Sequence, residues 1–243
     1  MPETRIQNGQ NRLLTALDRE TYGAIAPQLE QVTLGVKASI YEPDKPIEYA
    51  YFPVNGVISM LAQVEDDIEI EVATVGNEGM IGLPLFLGVN VTAGSAFSQV
   101  PGEAFRIKAE AFQKAFQASE SFRNVLHRYT QALMVQIAQG NACNRIHSIE
   151  ERCARWLLQT HDRVEADEFM LTQEFLGQML GVRRASVNVV SSMLQKAGFI
   201  RYSRGRITVT DRAGLESASC RCYEVIRKEY DRLLNGSEAG SRS

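Results

Sequence analysis

Two hydrophobic periods divide the chain. Between about residues 32 and 107 apolar positions come in short β-prone runs, at 47–52, 57–62, 68–73, 96–100 and 104–107, with turn residues between them. Ile68-Glu69-Ile70-Glu71-Val72 alternates strictly, as a strand with one buried face does. Asn55-Gly56 and Glu65-Asp66-Asp67 stand where hairpin turns are needed, and the acidic cluster reads as a solvated loop. Short strands at this spacing predict an antiparallel sandwich or barrel, a β-roll, rather than βαβ units. A short helical segment over 13–29 precedes it.

From Phe122 the period changes. Phe122, Leu126, Tyr129, Leu133, Ile137 and Gly140 follow alternating steps of four and three, the spacing of a helix that packs along another helix. Such a stripe more commonly belongs to an amphipathic helix lying on its own domain, but here these six residues are assigned to a dimer interface, because Gly140 would admit a partner's backbone and a single reading head is rarely selective. A second helix over 149–160 carries Trp156, Leu157 and Leu158 inward.

The stretch 171–209 holds the strongest local signal. Thr172 can cap a helix start, Glu174 sits in the first turn, and Leu176, Met179 and Leu180 supply an inward face. Gly181 is suited to end that helix in a left-handed conformation, with Val182 packing beyond it, so a second helix starts near Arg183. In that helix Val187, Val190 and Leu194 form a buried stripe, while Arg184, Asn188 and Ser191 share the other face. Gly198 ends the helix. Ile200 with Tyr202 and Ile207 with Val209 then alternate as strands around the turn Ser203-Arg204-Gly205. This is a helix-turn-helix followed by a cationic wing, and double-stranded DNA is the expected partner. Arg184 can reach guanine O6 and N7. Thr172, Gln173, Arg183, Ser186 and Asn188 can reach phosphates or neighbouring base edges, and Ala185 and Val189 can meet thymine methyls. Arg201, Arg204 and Arg206 of the wing face the backbone.

Charge sharpens the division. The whole chain has a net charge of -3 and a pI near 5.7, which does not suggest a nucleic-acid partner. Residues 1–100, however, hold five basic and thirteen acidic side chains, whereas 177–214 hold Arg183, Arg184, Lys196, Arg201, Arg204, Arg206 and Arg212 against Asp211 alone. An acidic N-terminal module and a basic C-terminal one follow. The expected architecture is α+β: a β-roll over 1–118, a long dimerisation helix over 119–145, a winged helix-turn-helix over 146–235 and a Gly/Ser-rich tail over 236–243. A single reading head covers few base pairs, so a homodimer placing two recognition helices about one DNA turn apart is expected. No apolar run approaches the roughly 20 residues of a membrane helix, the opening lacks a signal-peptide core, and a cytoplasmic protein with no membrane partner is expected.

Together the acidic β-roll, the long helix and the stretch 171–207 resemble the Crp/Fnr family of bacterial transcription regulators. The most specific segments are Leu176-Gly177-Gln178-Met179-Leu180-Gly181-Val182-Arg183-Arg184-Ala185-Ser186-Val187 and Gly76-Asn77-Glu78-Gly79-Met80-Ile81-Gly82-Leu83, the latter similar to the start of the family's phosphate-binding cassette. The resemblance implies a homodimer on a short inverted repeat, contact with RNA polymerase, and a cyclic-nucleotide-binding-like β-roll that biases the DNA-binding heads. In nucleotide-binding members the cassette supplies a glutamate for the ribose and an Arg-Ser pair for the phosphate. Leu83 and Gly94-Ser95 stand in those places. A cyclic nucleotide's charge would then be buried unpaired, so control by cyclic AMP is not expected and no cofactor is assigned. The apolar run 83–87 reads as a packed wall or a hydrophobic pocket. Arg184 matches the family's guanine-reading arginine. Ala185 replaces the glutamate that follows it in many members, and Val189 a later arginine, so the operator should differ.

Alternative readings concern the cysteines and other classes of protein. The first cysteine is Cys143, which does not fit the N-terminal cysteines of iron-sulfur members. Cys143 and His147, four apart on a helix with Cys153 nearby, could offer metal ligands, but a buried cysteine and a helix-end histidine are the simpler reading and no metal is assigned. Cys220 and Cys222 are expected to diverge on a C-terminal helix, and a thiol-responsive regulator stays open. No phosphate-binding Gly-Lys-Ser/Thr loop, Gly-x-Ser-x-Gly elbow or His-Glu-x-x-His occurs, and His127, His147 and His161 form no catalytic set, so an enzyme is not expected. A β-roll whose C-terminal domain docks on a protein is the remaining rival, and the arginine-rich hairpin argues against it.

Overall fold

The computed structural model describes residues 11–65, 68–164 and 166–234. Helices α1 (Arg12–Thr15) and α2 (Arg19–Ile25) precede strands β1 (Glu30–Leu34), β2 (Ser39–Tyr41), β3 (Tyr49–Pro53), β4 (Val57–Glu65), β5 (Ile68–Val75), β6 (Ser95–Val100) and β7 (Gly102–Lys108). Helices α3 (Ala109–Ala118), α4 (Glu120–Ile146) and α5 (Ile149–Val164) follow. The C-terminal part runs β8 (Glu168–Met170), α6 (Gln173–Leu180), α7 (Arg184–Lys196), β9 (Ile200–Ser203), β10 (Arg206–Val209), α8 (Arg212–Ala218) and α9 (Cys222–Leu234).

The expected α+β class and β-roll are present. Antiparallel sheets ordered β1-β7-β3 and β2-β6-β4-β5 enclose Phe52, Ile58, Met80, Ile81, Leu85 and Ile107. The pattern predicts a hairpin turn at Asn55-Gly56, but β3 pairs with β7 while β4 pairs with β5 and β6. These two residues instead form the corner where the chain passes between sheets. Asn55 Oδ1 accepts from the Glu103 amide at 2.8 Å, and a Cβ on Gly56 would lie 2.9 Å from the Val100 carbonyl oxygen, so only glycine lets the strands close there. Glu65 and Ile68 do pair across a hairpin end, whose Asp66 and Asp67 lie outside the described residues, as does the tail 235–243. The helical segment at 13–29 is broken, because the Asp18 side chain accepts from the Thr21 amide and starts a new helix.

The stripe on α4 requires a correction. Phe122, Leu126, Tyr129 and Leu133 are 2 % exposed or less, packed into the β-roll core together with Ile226 and Tyr230 of α9. Tyr129 also donates to the Met80 carbonyl at 2.8 Å. These side chains, assigned from sequence to a dimer seam, are consumed inside their own chain. Ile137 and Gly140 are half-buried beside a cavity of about 280 Å³ between β5, α4, α5 and α6. The free face of α4 lies opposite: His127, Gln131, Met134, Ala138, Asn141 and Arg145 are exposed and repeat the same steps of four and three.

A second core joins Trp156, Leu157 and Leu158 of α5 to Leu176, Met179, Leu180, Val187, Val190, Leu194, Ile200 and Ile207, and reaches Val57, Leu61 and Val100 of the roll. Among the described residues no helix is long and apolar enough to cross a membrane.

Candidate nucleic-acid interface

The helix-turn-helix is assembled by local chemistry. Thr172 Oγ1 accepts from the Phe175 amide at 3.1 Å and starts α6, with Glu174 in its first turn. At the other end Gly181 has φ 65°, Gly181 N–H donates to Gln178 O and Val182 N–H to Gly177 O, which closes α6 by a Schellman motif. A Cβ on Gly177 would stand 3.0 Å from the Val182 carbonyl oxygen, so this glycine lets the turn fold back on α6. Arg183 is the extended residue before α7.

Val187, Val190, Ser191 and Leu194 form the buried side of α7. Ser191 therefore leaves the DNA-facing set in which the sequence pattern places it; its hydroxyl is enclosed, with no hydrogen-bond partner among the described residues. Arg183, Arg184, Ala185, Asn188 and Val189 are exposed and Ser186 is half-buried, so the helix offers cations and small side chains to solvent along one side. Thr172 is exposed and Gln173 half-buried at the start of α6. α6 itself turns toward the roll: Phe175 meets Phe97 edge-on at 5.8 Å, and the Ser59 hydroxyl approaches Met179 Sδ at 3.8 Å.

The wing is a β9–β10 hairpin with Arg204 at φ 50° and Gly205 at φ 76°, the pair of positive φ values that a type I′ turn requires. β8, which the sequence pattern missed because it spans three residues, completes the sheet in the order β8-β10-β9. It brings Glu168 to Arg206, at 3.0 Å. Arg201 and Arg204 are exposed and, like Arg183 and Arg184, make no ion pair with another described residue. Arg212 belongs to the fold rather than to the unpaired cations of α7 and the wing: it bridges Asp162 at 2.6 Å and Glu216 at 3.1 Å and donates to the Tyr223 hydroxyl.

Behind this surface the head is fastened to the roll by two polar contacts that sequence reasoning did not find. Arg163, the last basic residue of α5, is buried against Glu78 at 2.8 Å and also donates to Thr74 Oγ1 and, at 3.3 Å, to Gln136 Oε1. A Cβ on Gly76 would collide with the Arg163 side chain. The segment that resembles a phosphate-binding cassette is thus packed against the protein's own arginine. The second contact is Trp156, whose indole donates to Glu71 Oε1 at 2.9 Å while the Ser59 hydroxyl donates to the other oxygen at 2.8 Å. Burial pushes the Glu71 carboxyl up to about 7, against the opposing pull of these hydrogen bonds and of Arg155 and Arg163.

The cassette's later part is a packed wall. Leu83, Leu85 and Phe86 lie in the roll core, and the Ser95 hydroxyl donates to Glu69 Oε1 at 2.6 Å. The cysteines also differ from expectation. Cys220 precedes α9 rather than lying within it, so it and Cys222 are brought together with Cys143 instead of diverging. Cys153 lies apart from them, in the second core.

Residues 151–218 match the Crp-like helix-turn-helix domain family. Over 210 residues the chain is 24% identical to the global nitrogen regulator of Synechococcus elongatus, covering 82% of this chain and 93% of that protein. FixK2 from Bradyrhizobium japonicum shares the fold with a TM-score of 0.66 at 18% identity, over 79% of this chain and 98% of its own. A Crp/Fnr-family transcriptional regulator of Thermus thermophilus gives a TM-score of 0.63 at 18% identity, over 78% of this chain and 98% of its own.

Proposed function

Because the chain is a Crp/Fnr-type transcription regulator with a helix-turn-helix DNA-binding domain, we propose that it binds a near-palindromic operator as a homodimer and without cyclic AMP. The observation that carries the reading is the outer side of α7, where Arg183, Arg184, Ala185, Asn188 and Val189 are exposed beside the free wing cations Arg201 and Arg204. Arg184 reads guanine, Ala185 and Val189 meet thymine methyls, and the remaining cations hold phosphates. The exposed face of α4 around Met134 supplies the dimer seam. Regulation then involves RNA polymerase as the partner at the promoter.

Independence of cyclic AMP is supported by Leu83, buried in the roll core, and by Ser95, which has Gly94 before it in place of a phosphate-binding arginine. The test is selection of bound sequences from random DNA by the purified protein, with and without cyclic AMP. The expected product is an inverted repeat whose half-sites lie about 34 Å apart, with affinity falling steeply as salt rises and unchanged by the nucleotide. Recovery of no shared motif would overturn sequence-specific binding, a single unrepeated half-site would overturn the dimer, and a motif recovered only with cyclic AMP would overturn the effector reading.

A further inference from the structure

Away from the DNA-facing surface, three cysteines and a histidine converge on one point. Cys143 and His147 are four apart at the C-terminal end of α4, Cys220 lies in the turn after α8, and Cys222 opens α9. Their ligand atoms all lie within 4.8 Å of one another. Cys143 Sγ is 3.4 Å from Cys220 Sγ, and Cys222 Sγ is 3.6 Å from His147 Nδ1. Around a tetrahedral zinc ion, with Zn–S near 2.3 Å and Zn–N near 2.0 Å, sulfurs stand about 3.8 Å apart and a sulfur and a nitrogen about 3.5 Å.

We propose that Cys143, His147, Cys220 and Cys222 bind a single zinc-type divalent ion as a Cys₃His site. On binding, the three thiols release their protons to solvent and His147 coordinates as neutral imidazole through Nδ1, leaving a net charge of one negative. The surroundings suit that charge. Arg152 and Arg155 of α5 lie within electrostatic reach of Cys143, and each has a buried Nε without a hydrogen-bond partner among the described residues. Gln139 Nε2 donates to Cys222 Sγ at 3.2 Å, the kind of outer contact that orients a metal-bound sulfur. The thiols are nearly inaccessible, at 0, 4 and 2 % exposure for Cys143, Cys220 and Cys222, which fits a closed four-ligand site rather than a catalytic one with an open position. A multi-iron cluster needs its thiolates spread more widely than these.

The position gives the ion a mechanical role. It ties the end of α4 to the start of α9 across the break at His147-Ser148, where the chain turns from the long helix into α5 and the reading head. Any effect of the ion on operator binding rests on the function proposed above. Metal uptake is measured without DNA, so the two readings can fail separately.

The experiment uses full-length protein purified under reducing conditions, stripped with a chelator and titrated with Co²⁺, followed by displacement with Zn²⁺. The expected result is one equivalent per chain, with thiolate-to-cobalt charge transfer and the visible bands of tetrahedral Co²⁺. Cys220→Ser and Cys222→Ser should each lose more than the ~10- to 100-fold in affinity that removing an outer-shell partner costs, and Gln139→Ala about that much. Cys153→Ala should bind as the parent does. If a ligand variant does not fold, the parent protein's chelator-competition titration still decides the matter. Absence of thiolate charge transfer, its persistence in both serine variants, stoichiometric iron with inorganic sulfide, or a Cys143–Cys220 disulfide in the metal-treated reduced protein would each overturn the assignment.

Discussion

Glu78 and Arg163 are buried together, at 7 % and 6 % side-chain exposure, and neither charge can be removed without stranding the other. Glu78→Ala leaves the guanidinium enclosed with its hydrogen bonds only to the neutral acceptors Thr74 and Gln136 and no carboxylate in contact, and should cost about 3–5 kcal/mol by denaturant titration. A loss under about 1 kcal/mol would mean that water reaches Arg163. The cations facing solvent behave differently, and their partners rank them. Arg184 has no competing carboxylate among the described residues, so Arg184→Ala should cost about 1–3 kcal/mol and relax preference at one base position of the operator. Arg206 is already held by Glu168, and Arg206→Ala should weaken binding by less than Arg204→Ala, equally across DNA sequences, as titration at two salt concentrations would read. A base-specific effect at Arg206 would contradict this ordering.

The turn between α6 and α7 sets the angle of the reading helix through Gly181. Its φ of 65° is a conformation a side chain resists, while the space around its Cα is open. Gly181→Ala should therefore cost about 1 kcal/mol from backbone strain alone, with no packing loss, measurable as a lowered unfolding midpoint and weaker operator binding. This element was legible from the sequence because each step is local: the Thr172 cap, the inward Leu176 and Leu180, the Gly181 stop and the Arg204-Gly205 turn are all specified within a few residues. The α4 stripe was legible only in part. Its spacing shows that Phe122, Leu126, Tyr129 and Leu133 are buried, but not whether the burying surface belongs to the same chain. Nor could the pattern show that α9 returns to cover α4, which is what brings Cys220 and Cys222 to Cys143. The same limit hid Arg163 and Glu78, 85 residues apart, since neither position departs from an ordinary helix or loop composition.

At the scale of the whole molecule two surfaces remain to be accounted for, the exposed face of α4 and the contact between roll and head. Met134 is 61 % exposed on the α4 face, so Met134→Glu should leave the core intact and convert a dimer to monomers in sedimentation; an unchanged mass would place the seam elsewhere. The contact between roll and head carries a pH dependence through Glu71. Its carboxyl is raised from an ordinary 4.5 to about 7 because packing between roll and head takes it partly out of water, and the hydrogen bonds from Ser59 and Trp156 and the charges of Arg155 and Arg163 only partly offset that burial. The docked state therefore holds the Glu71 proton more tightly than a state in which the head has swung away. The stabilisation this supplies is complete below about pH 4.5 and is lost as the pH rises through about 7. Trp156 is the chain's sole tryptophan and donates to this carboxylate, so its fluorescence reports the contact directly. Between about pH 5 and 8 the emission should shift with a midpoint near 7, as the carboxyl that accepts the indole hydrogen bond gains its charge. In Glu71→Gln, which keeps an acceptor for the indole without the charge, the shift should vanish. A transition of the same midpoint in that variant would assign the titration to another group and remove Glu71 from the control of head docking.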